Sequence, residues 1–154
     1  MIVANIFRLI ATLGPIGSLP APGTCASLLT ACCIYFFGMQ GLPSYSIIVL
    51  CVSLFLALAI ELALPTFYSH DPRQVVADEV IGYMIGSLFI PHHLLSHFIF
   101  LLTFRFFDIT KVLGLRRLEF IRGVQGIVFD DIGAGFYAGI LTSVILGIYS
   151  SLFC

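Results

Sequence analysis

Charge is what this 154-residue chain has least of: Lys, Arg, Asp and Glu together make up 10% of it, while 60% is apolar. Soluble domains are nearer a quarter charged and half apolar. With a mean hydropathy of +1.11, an ordinary water-soluble globule is excluded, because a fold of this size cannot hide so much apolar surface. Uncompensated positive charge is missing too. Seven basic residues face eight acids for a formal charge of -1, which excludes an electrostatic nucleic-acid partner, since backbone binding needs clustered Lys and Arg. The five cysteines, Cys25, Cys32, Cys33, Cys51 and Cys154, form no CxxC pair and no metal-ligand spacing, and read as packing residues. None is followed by Arg six positions on, which disfavours a thiolate nucleophile. The first fifteen residues lack a small-residue cleavage site after a clean apolar run, so no removable signal peptide is expected. No repeat, linker or low-complexity segment divides the chain, and 1–154 reads as one integral membrane domain.

What is present is a series of long apolar runs. Crossing a bilayer core takes roughly 20 helical residues, and this length predicts spans from about Thr24 to Met39, Ser44 to Leu64, Asp71 to Ile90, Leu94 to Lys111 and Ile132 to Phe153. Asp71 and Pro72 read as an N-cap followed by proline at the first helical position. Pro91, His92 and His93 read as a turn, with one long helix kinked at Pro91 as the alternative. Ahead of the spans, Asn5, Arg8 and Thr12 put a thin polar stripe on a helix that Gly14 and Pro15 would end, suited to the membrane interface. Gly135 and Gly139 have the small-xxx-small spacing that lets a second helix approach closely. The expected fold is all-α: a polytopic membrane helix bundle with about five crossings and an interfacial N-terminal helix.

Threading five helices up and down places Arg8, Arg73, Arg105, Lys111, Arg116, Arg117 and Arg122 on one side, the cytoplasmic side by the positive-inside rule. The same side collects Asp71, Asp78, Glu79, Asp108, Glu119, Asp130 and Asp131, leaving Glu61 alone within a span. Ionised carboxylates at the ends of apolar helices are costly and persist with a partner or a function. Capping accounts for Asp71, but not for Asp108, which lies at a helix carboxyl end where the dipole disfavours negative charge. Arg105 and Lys111, each three residues away, could pair with Asp108 in a purely structural ion pair. Gathered carboxylates otherwise raise one another's pKa until a cation neutralises them. Magnesium, bound by a few carboxylates with water and substrate phosphate, suits an acid cluster beside Lys and Arg; calcium and manganese share that ligand type. The prolines and glycines from Gly14 to Gly23 either present backbone N–H groups to an anion or make a rigid re-entry loop. His70 can be a proton donor or simply solvated, whereas His92, His93 and His97 thread to the far face. A small ion or proton-coupled transporter is the rival reading, and it calls for charge near mid-membrane.

Four segments, Gly17-Ser18-Leu19-Pro20-Ala21-Pro22-Gly23-Thr24, Asp71-Pro72-Arg73-Gln74-Val75-Val76-Ala77-Asp78-Glu79-Val80-Ile81-Gly82, Phe104-Arg105-Phe106-Phe107-Asp108-Ile109-Thr110-Lys111 and Asp130-Asp131-Ile132-Gly133-Ala134-Gly135, resemble in order the motifs of the phosphatidylglycerophosphatase A family. The resemblance covers nearly the whole chain and is most specific in the loops. It implies a multi-pass enzyme of the bacterial inner (cytoplasmic) membrane, its active site facing the cytoplasm, that takes the terminal phosphate from the phospholipid phosphatidylglycerophosphate with Mg2+. By motif, Asp78, Glu79, Asp108 and Asp131 carry catalysis, Asp130 joins these four as metal ligands, and Arg105, Lys111 and Thr24 hold the substrate phosphate. The chain departs from the family at Lys111-Val112-Leu113-Gly114, where Lys-Pro-x-Pro is usual, at the thinned glycine run Gly123-Val124-Gln125-Gly126, and at Ala26 in place of glycine. The first two departures bear on the loop from Lys111 to Phe129.

Overall fold

Helix breakers and buried stripes set the architecture of the computed structural model, which describes residues 2–38, 40, 43–67, 72–121 and 123–153. Six α-helices are formed, α1 (Ile2–Ala11), α2 (Pro22–Phe36), α3 (Tyr45–Ala63), α4 (Ala77–Ser87), α5 (Leu94–Thr110) and α6 (Val124–Phe153), and no strand occurs among the described residues. Short 3-10 turns lie at Gly14–Ser18, Leu64–Thr66 and Leu115–Phe120. Pro22 opens α2 at its first position, where a missing N–H costs nothing. Lys111 closes α5 in the left-handed conformation, φ 47°, with its N–H on the Phe107 carbonyl.

Among the described residues two helices, α3 with its 3-10 extension (Tyr45–Thr66) and α6 (Val124–Leu152), are long and apolar enough to cross a membrane. Five crossings are therefore not supported. The expected first span is the 15-residue α2, and the expected third shrinks to the 11-residue α4, about 16 Å at 1.5 Å per residue. The reason for the late start of α4 lies in the preceding chain. Val75 N–H bonds to the Pro72 carbonyl at 2.9 Å and Val76 N–H to the Ala11 carbonyl at 3.0 Å, so the segment after Pro72 makes a turn tied to α1 before any helix begins. Asp71, the expected cap, lies outside the described residues, as do His70, Arg122 and Met39, the expected end of the first span. At Pro91 the chain turns between α4 and α5 as a hairpin and does not continue as a kinked helix. The final helix starts at Val124, eight residues ahead of the expected Ile132, so Asp130 and Asp131 sit on helix and not in the loop before it.

The interior is assembled from stripes at helical spacing. On α5, Phe100, Phe104 and Phe107 are buried and join Tyr83, Met84, Ala134 and Ala138 in one apolar cluster. A second cluster brings Ala11, Leu56, Ile60, Val75, Ile81 and Val128 together. Helices α4 and α6 cross with their backbones close together. A Cβ on Gly82 would lie 2.8 Å from the Asp131 carbonyl carbon, one on Gly86 2.5 Å from the Gly135 oxygen, and one on Gly139 2.9 Å from the Gly86 oxygen. The small-residue spacing at Gly135 and Gly139 thus meets a matching pair on α4. At the opposite end of the bundle from the acids, the Gln40 amide oxygen meets His92 Nδ1 at 3.2 Å and His97 Nε2 at 2.9 Å, while its amide nitrogen donates to the Ser87 and Ile90 carbonyls. This network ties the α2–α3 and α4–α5 turns. Outward faces of α3, α5 and α6 carry exposed Leu50, Leu54, Phe98, Leu102, Ile140 and Val144, as surfaces facing lipid do.

Candidate functional site

Four helix ends converge on one cleft of about 680 Å³: the starts of α2, α4 and α6 and the end of α5. Its walls include Asp78 and Glu79 from α4, Arg105 and Asp108 from α5, Lys111 after it, and Asp130 and Asp131 from α6. Residues from three separate motifs, spread along the chain from Asp78 to Asp131, are brought together here. Asp131 owes its place to the stripe Ile127, Asp131, Ala134, Ala138 and Thr142, which is the buried face of α6. Asp78 and Glu79 occupy the first turn of α4, where the helix dipole favours negative charge.

Asp78, Glu79 and Asp131 each offer one carboxylate oxygen such that all three lie within 4.8 Å of one another. Asp78, Asp130 and Asp131 are buried. Around this triad the charges pair selectively. Arg105 Nη1 lies 2.6 Å from Asp108 Oδ2 and 3.8 Å from Glu79 Oε1, and Lys111 Nζ donates to Asp130 Oδ2 at 2.6 Å. Arg105 is thus the cation that Asp108 requires at the carboxyl end of α5, while Lys111 serves α6. The Arg105 contact to Asp108 is an ion pair without hydrogen-bond geometry: Nε and Nη1 of Arg105, together with Glu79 Oε2, are buried without a hydrogen-bond partner. Buried polar atoms of that kind are rare in folded proteins, and water, an ion or a substrate group can satisfy them.

The electrostatics follow from crowding. Burial pushes the Asp78 carboxyl well above the usual carboxylate range, and the neighbouring Glu79 charge pushes it further. Burial also raises Glu79; its hydrogen bond with Asp78 and the Arg105 guanidinium oppose the rise, and Asp108 adds to it. Five acids and three cations (Arg73, Arg105 and Lys111) line the cleft, leaving a formal excess of two negative charges. One divalent ion cancels that excess. The donor set, all hard carboxylate oxygens at a spacing that a small inward movement closes to single-ion coordination, fits magnesium or a similar dication.

Thr24 is not brought into the cleft. It is exposed, and Gly23 takes the position against the site, because one residue along a helix turns the side-chain direction by about 100°. A Cβ on Gly23 would lie 2.8 Å from Glu79 Cδ and 3.0 Å from Arg105 Nη1, so α2 can approach the acids only through glycine. Ala21, just before it, adopts φ 56°, a left-handed conformation that costs a non-glycine residue about 1 kcal/mol. Arg73 also lines the cleft. Neither Gly23 nor Arg73 is legible as a site residue from composition or spacing, although both lie inside the motifs quoted above. The side chain of Glu119 lies outside the described residues, and Glu61, exposed near the end of α3, is not among the cleft residues.

Comparison with known proteins follows the same residues. A protein of Bacteroides thetaiotaomicron, whose name carries a provisional assignment as a phosphatidylinositol-3-phosphatase, is 37% identical over 84 residues; the match covers 53% of this chain and 53% of that protein, about half the length of the curated relative. No solved structure matches the chain. The phosphatidylglycerophosphatase A description matches residues 9–146, a stretch that holds every cleft residue named here, and the chain belongs to the phosphatidylglycerophosphatase A family.

Proposed function

We propose that the chain is a divalent-cation-dependent lipid phosphatase that hydrolyses phosphatidylglycerophosphate to phosphatidylglycerol and inorganic phosphate, in the bacterial inner membrane with its cleft toward the cytoplasm. Family membership supports the reaction class. The observation that carries the metal dependence is the triad of Asp78, Glu79 and Asp131 oxygens within 4.8 Å, an arrangement unstable as three bare carboxylates. Basic residues at the cleft end, Arg73, Arg105 and Lys111, support the cytoplasmic orientation.

In this reading Asp78, Glu79 and Asp131 would hold Mg2+, with Asp108 and Asp130 beside them. A bound dication supplies charge neutralisation at the phosphate oxygens and polarises phosphorus toward attack. Arg105, whose Nε and Nη1 lack hydrogen-bond partners, and Lys111 orient the phosphate monoester and oppose the charge that builds on it. A cleft carboxylate accepts a proton from the attacking water. The bond from phosphorus to the glycerol oxygen breaks, the alcohol recovers a proton, and phosphate leaves. The acyl chains remain outside, along the apolar faces of the helices.

Phosphatidylinositol 3-phosphate, the kind of lipid implied by the Bacteroides relative's name, also joins a phosphate monoester to a phosphodiester, so a substrate panel belongs in the test. Purified protein in detergent is expected to release phosphate from phosphatidylglycerophosphate only with a divalent cation, and faster than from phosphatidylinositol 3-phosphate or phosphatidate. Asp108→Asn and Asp131→Asn are each expected to abolish release while circular dichroism and monodispersity are retained. Full activity in EDTA would overturn the metal assignment.

The transporter reading calls for ionisable groups midway along a span. Among the described residues no Asp, Glu, Lys or Arg lies midway along α3 or α6: Glu61 is two residues from the end of α3, and Asp130 and Asp131 are near the start of α6.

A further inference from the structure

Arg73 stands apart from the other cleft cations. Arg105 is engaged by Asp108 and Glu79, and Lys111 by Asp130; among the described residues Arg73 has no acidic partner, although it lines the same cleft. It also differs in depth. Asp78 and Asp131 are buried and Arg73 is exposed, which puts the carboxylates at the floor of the cleft and Arg73 at its rim.

Its backbone is fixed. Arg73 and Gln74 are the two central residues of the turn closed by Val75 N–H on the Pro72 carbonyl. That turn is anchored on both sides, by Val76 N–H on the Ala11 carbonyl at 3.0 Å and by Arg8 Nη2 on Gln74 Oε1 at 3.5 Å. Gly17 presses so close to the Gln74 carbonyl that a Cβ there would clash. A pinned turn thus carries at the cleft mouth a guanidinium that has no carboxylate partner among the described residues, suited to a charge-assisted bond to an anion.

We infer that Arg73 recognises the phosphodiester of the substrate, the second phosphate that stays with the lipid, and sets the preference for lipids carrying both a diester and a monoester. This rests on the lipid-phosphatase reading above. A monoester held by Arg105 and Lys111 leaves its diester, one polyol bridge away, toward the exposed mouth, where Arg73 is a cation without an acidic partner among the described residues.

The test uses the two products as separate probes, phosphatidylglycerol in mixed micelles for the diester and inorganic phosphate for the monoester, each competing against phosphatidylglycerophosphate. In Arg73→Gln the KM for phosphatidylglycerophosphate and the Ki of phosphatidylglycerol are expected to rise together by about 10- to 100-fold, the range for losing a charge-assisted hydrogen bond, with the Ki of inorganic phosphate changed less than about twofold. Arg73→Lys is expected to recover part of the loss, and the metal-dependent melting temperature serves as the folding control. A matching rise in the phosphate Ki would assign Arg73 to the reacting group and overturn the inference. So would unchanged constants, or failure of phosphatidylglycerol to compete with the wild type. A wild-type protein that hydrolyses none of these lipids would instead remove the parent reading.

Discussion

Replacing Gly23 by alanine separates the fold from the site. The added Cβ would meet the carboxylate end of Glu79, with Cδ at 2.8 Å, and Arg105 Nη1 at 3.0 Å. Glu79 Oε1 is closer still than Cδ, and non-bonded heavy atoms settle at about 3.5–4.0 Å, so the Glu79 carboxyl must swing aside by more than about 1 Å. Both obstacles are ends of flexible side chains, no backbone atom is named among the nearest three, and alanine is the better helix former. The stability cost is therefore expected to stay below about 1 kcal/mol. Function responds differently, because a misplacement of this size in a reacting group costs on the order of 100-fold in rate. Phosphate release titrated with Mg2+ should show Gly23→Ala with a half-saturating concentration raised by about 10-fold or more and a reduced maximum, at a melting temperature close to that of the parent. Gly147→Ala, where an added Cβ meets nothing within 4 Å, provides the control and should leave both unchanged. A Gly23→Ala protein with parental metal dependence and rate would refute the argument that α2 reaches the acids through this glycine.

Other outcomes follow from the same geometry. Gly86→Ala drives a Cβ to 2.5 Å from the Gly135 carbonyl oxygen and 2.8 Å from its carbon; backbone cannot swing aside, and thermal unfolding should report a loss of about 1–3 kcal/mol. Since the folded state holds Asp78 and Glu79 above their ordinary values of 3.8 and 4.5, metal-free protein binds more protons folded than unfolded between those values and the raised ones. Its stability should fall as pH rises through that window. Metal binding requires the deprotonated acids, so the increase in melting temperature caused by Mg2+ should grow with pH over the same range; an increment independent of pH would contradict the assignment of these two residues.

Which parts of this could be read from sequence depends on whether the decisive force is local. Acids are legible because an ionised group at the end of an apolar helix is costly wherever it occurs, and Asp78, Glu79, Asp108, Asp130 and Asp131 all line the cleft. The small-residue approach at Gly135 and Gly139 is legible for a similar reason, since spacing alone predicts a close neighbour. Crossing number is not. Apolar content is shared by residues that face lipid and residues that face other helices, so the run from Asp71 to Ile90 reads as a span although its first part is a turn held by Ala11. Partner choice is equally hidden: Arg105 and Lys111 are both three residues from Asp108, and only tertiary placement of α6 sends Lys111 to Asp130. Thr24 shows the limit at single-residue scale, where a polar side chain draws attention and the adjoining glycine makes the contact.

Because α4 and α6 touch through bare main chain at Gly82, Gly86, Gly135 and Gly139, the gap between Asp78 and Asp131 is gauged by peptide groups and behaves as a fixed calliper. Mutational drift over the outward faces of the bundle, at Leu50, Leu102 or Val144, can proceed without resetting that gauge. A single methyl group added at the crossing cannot.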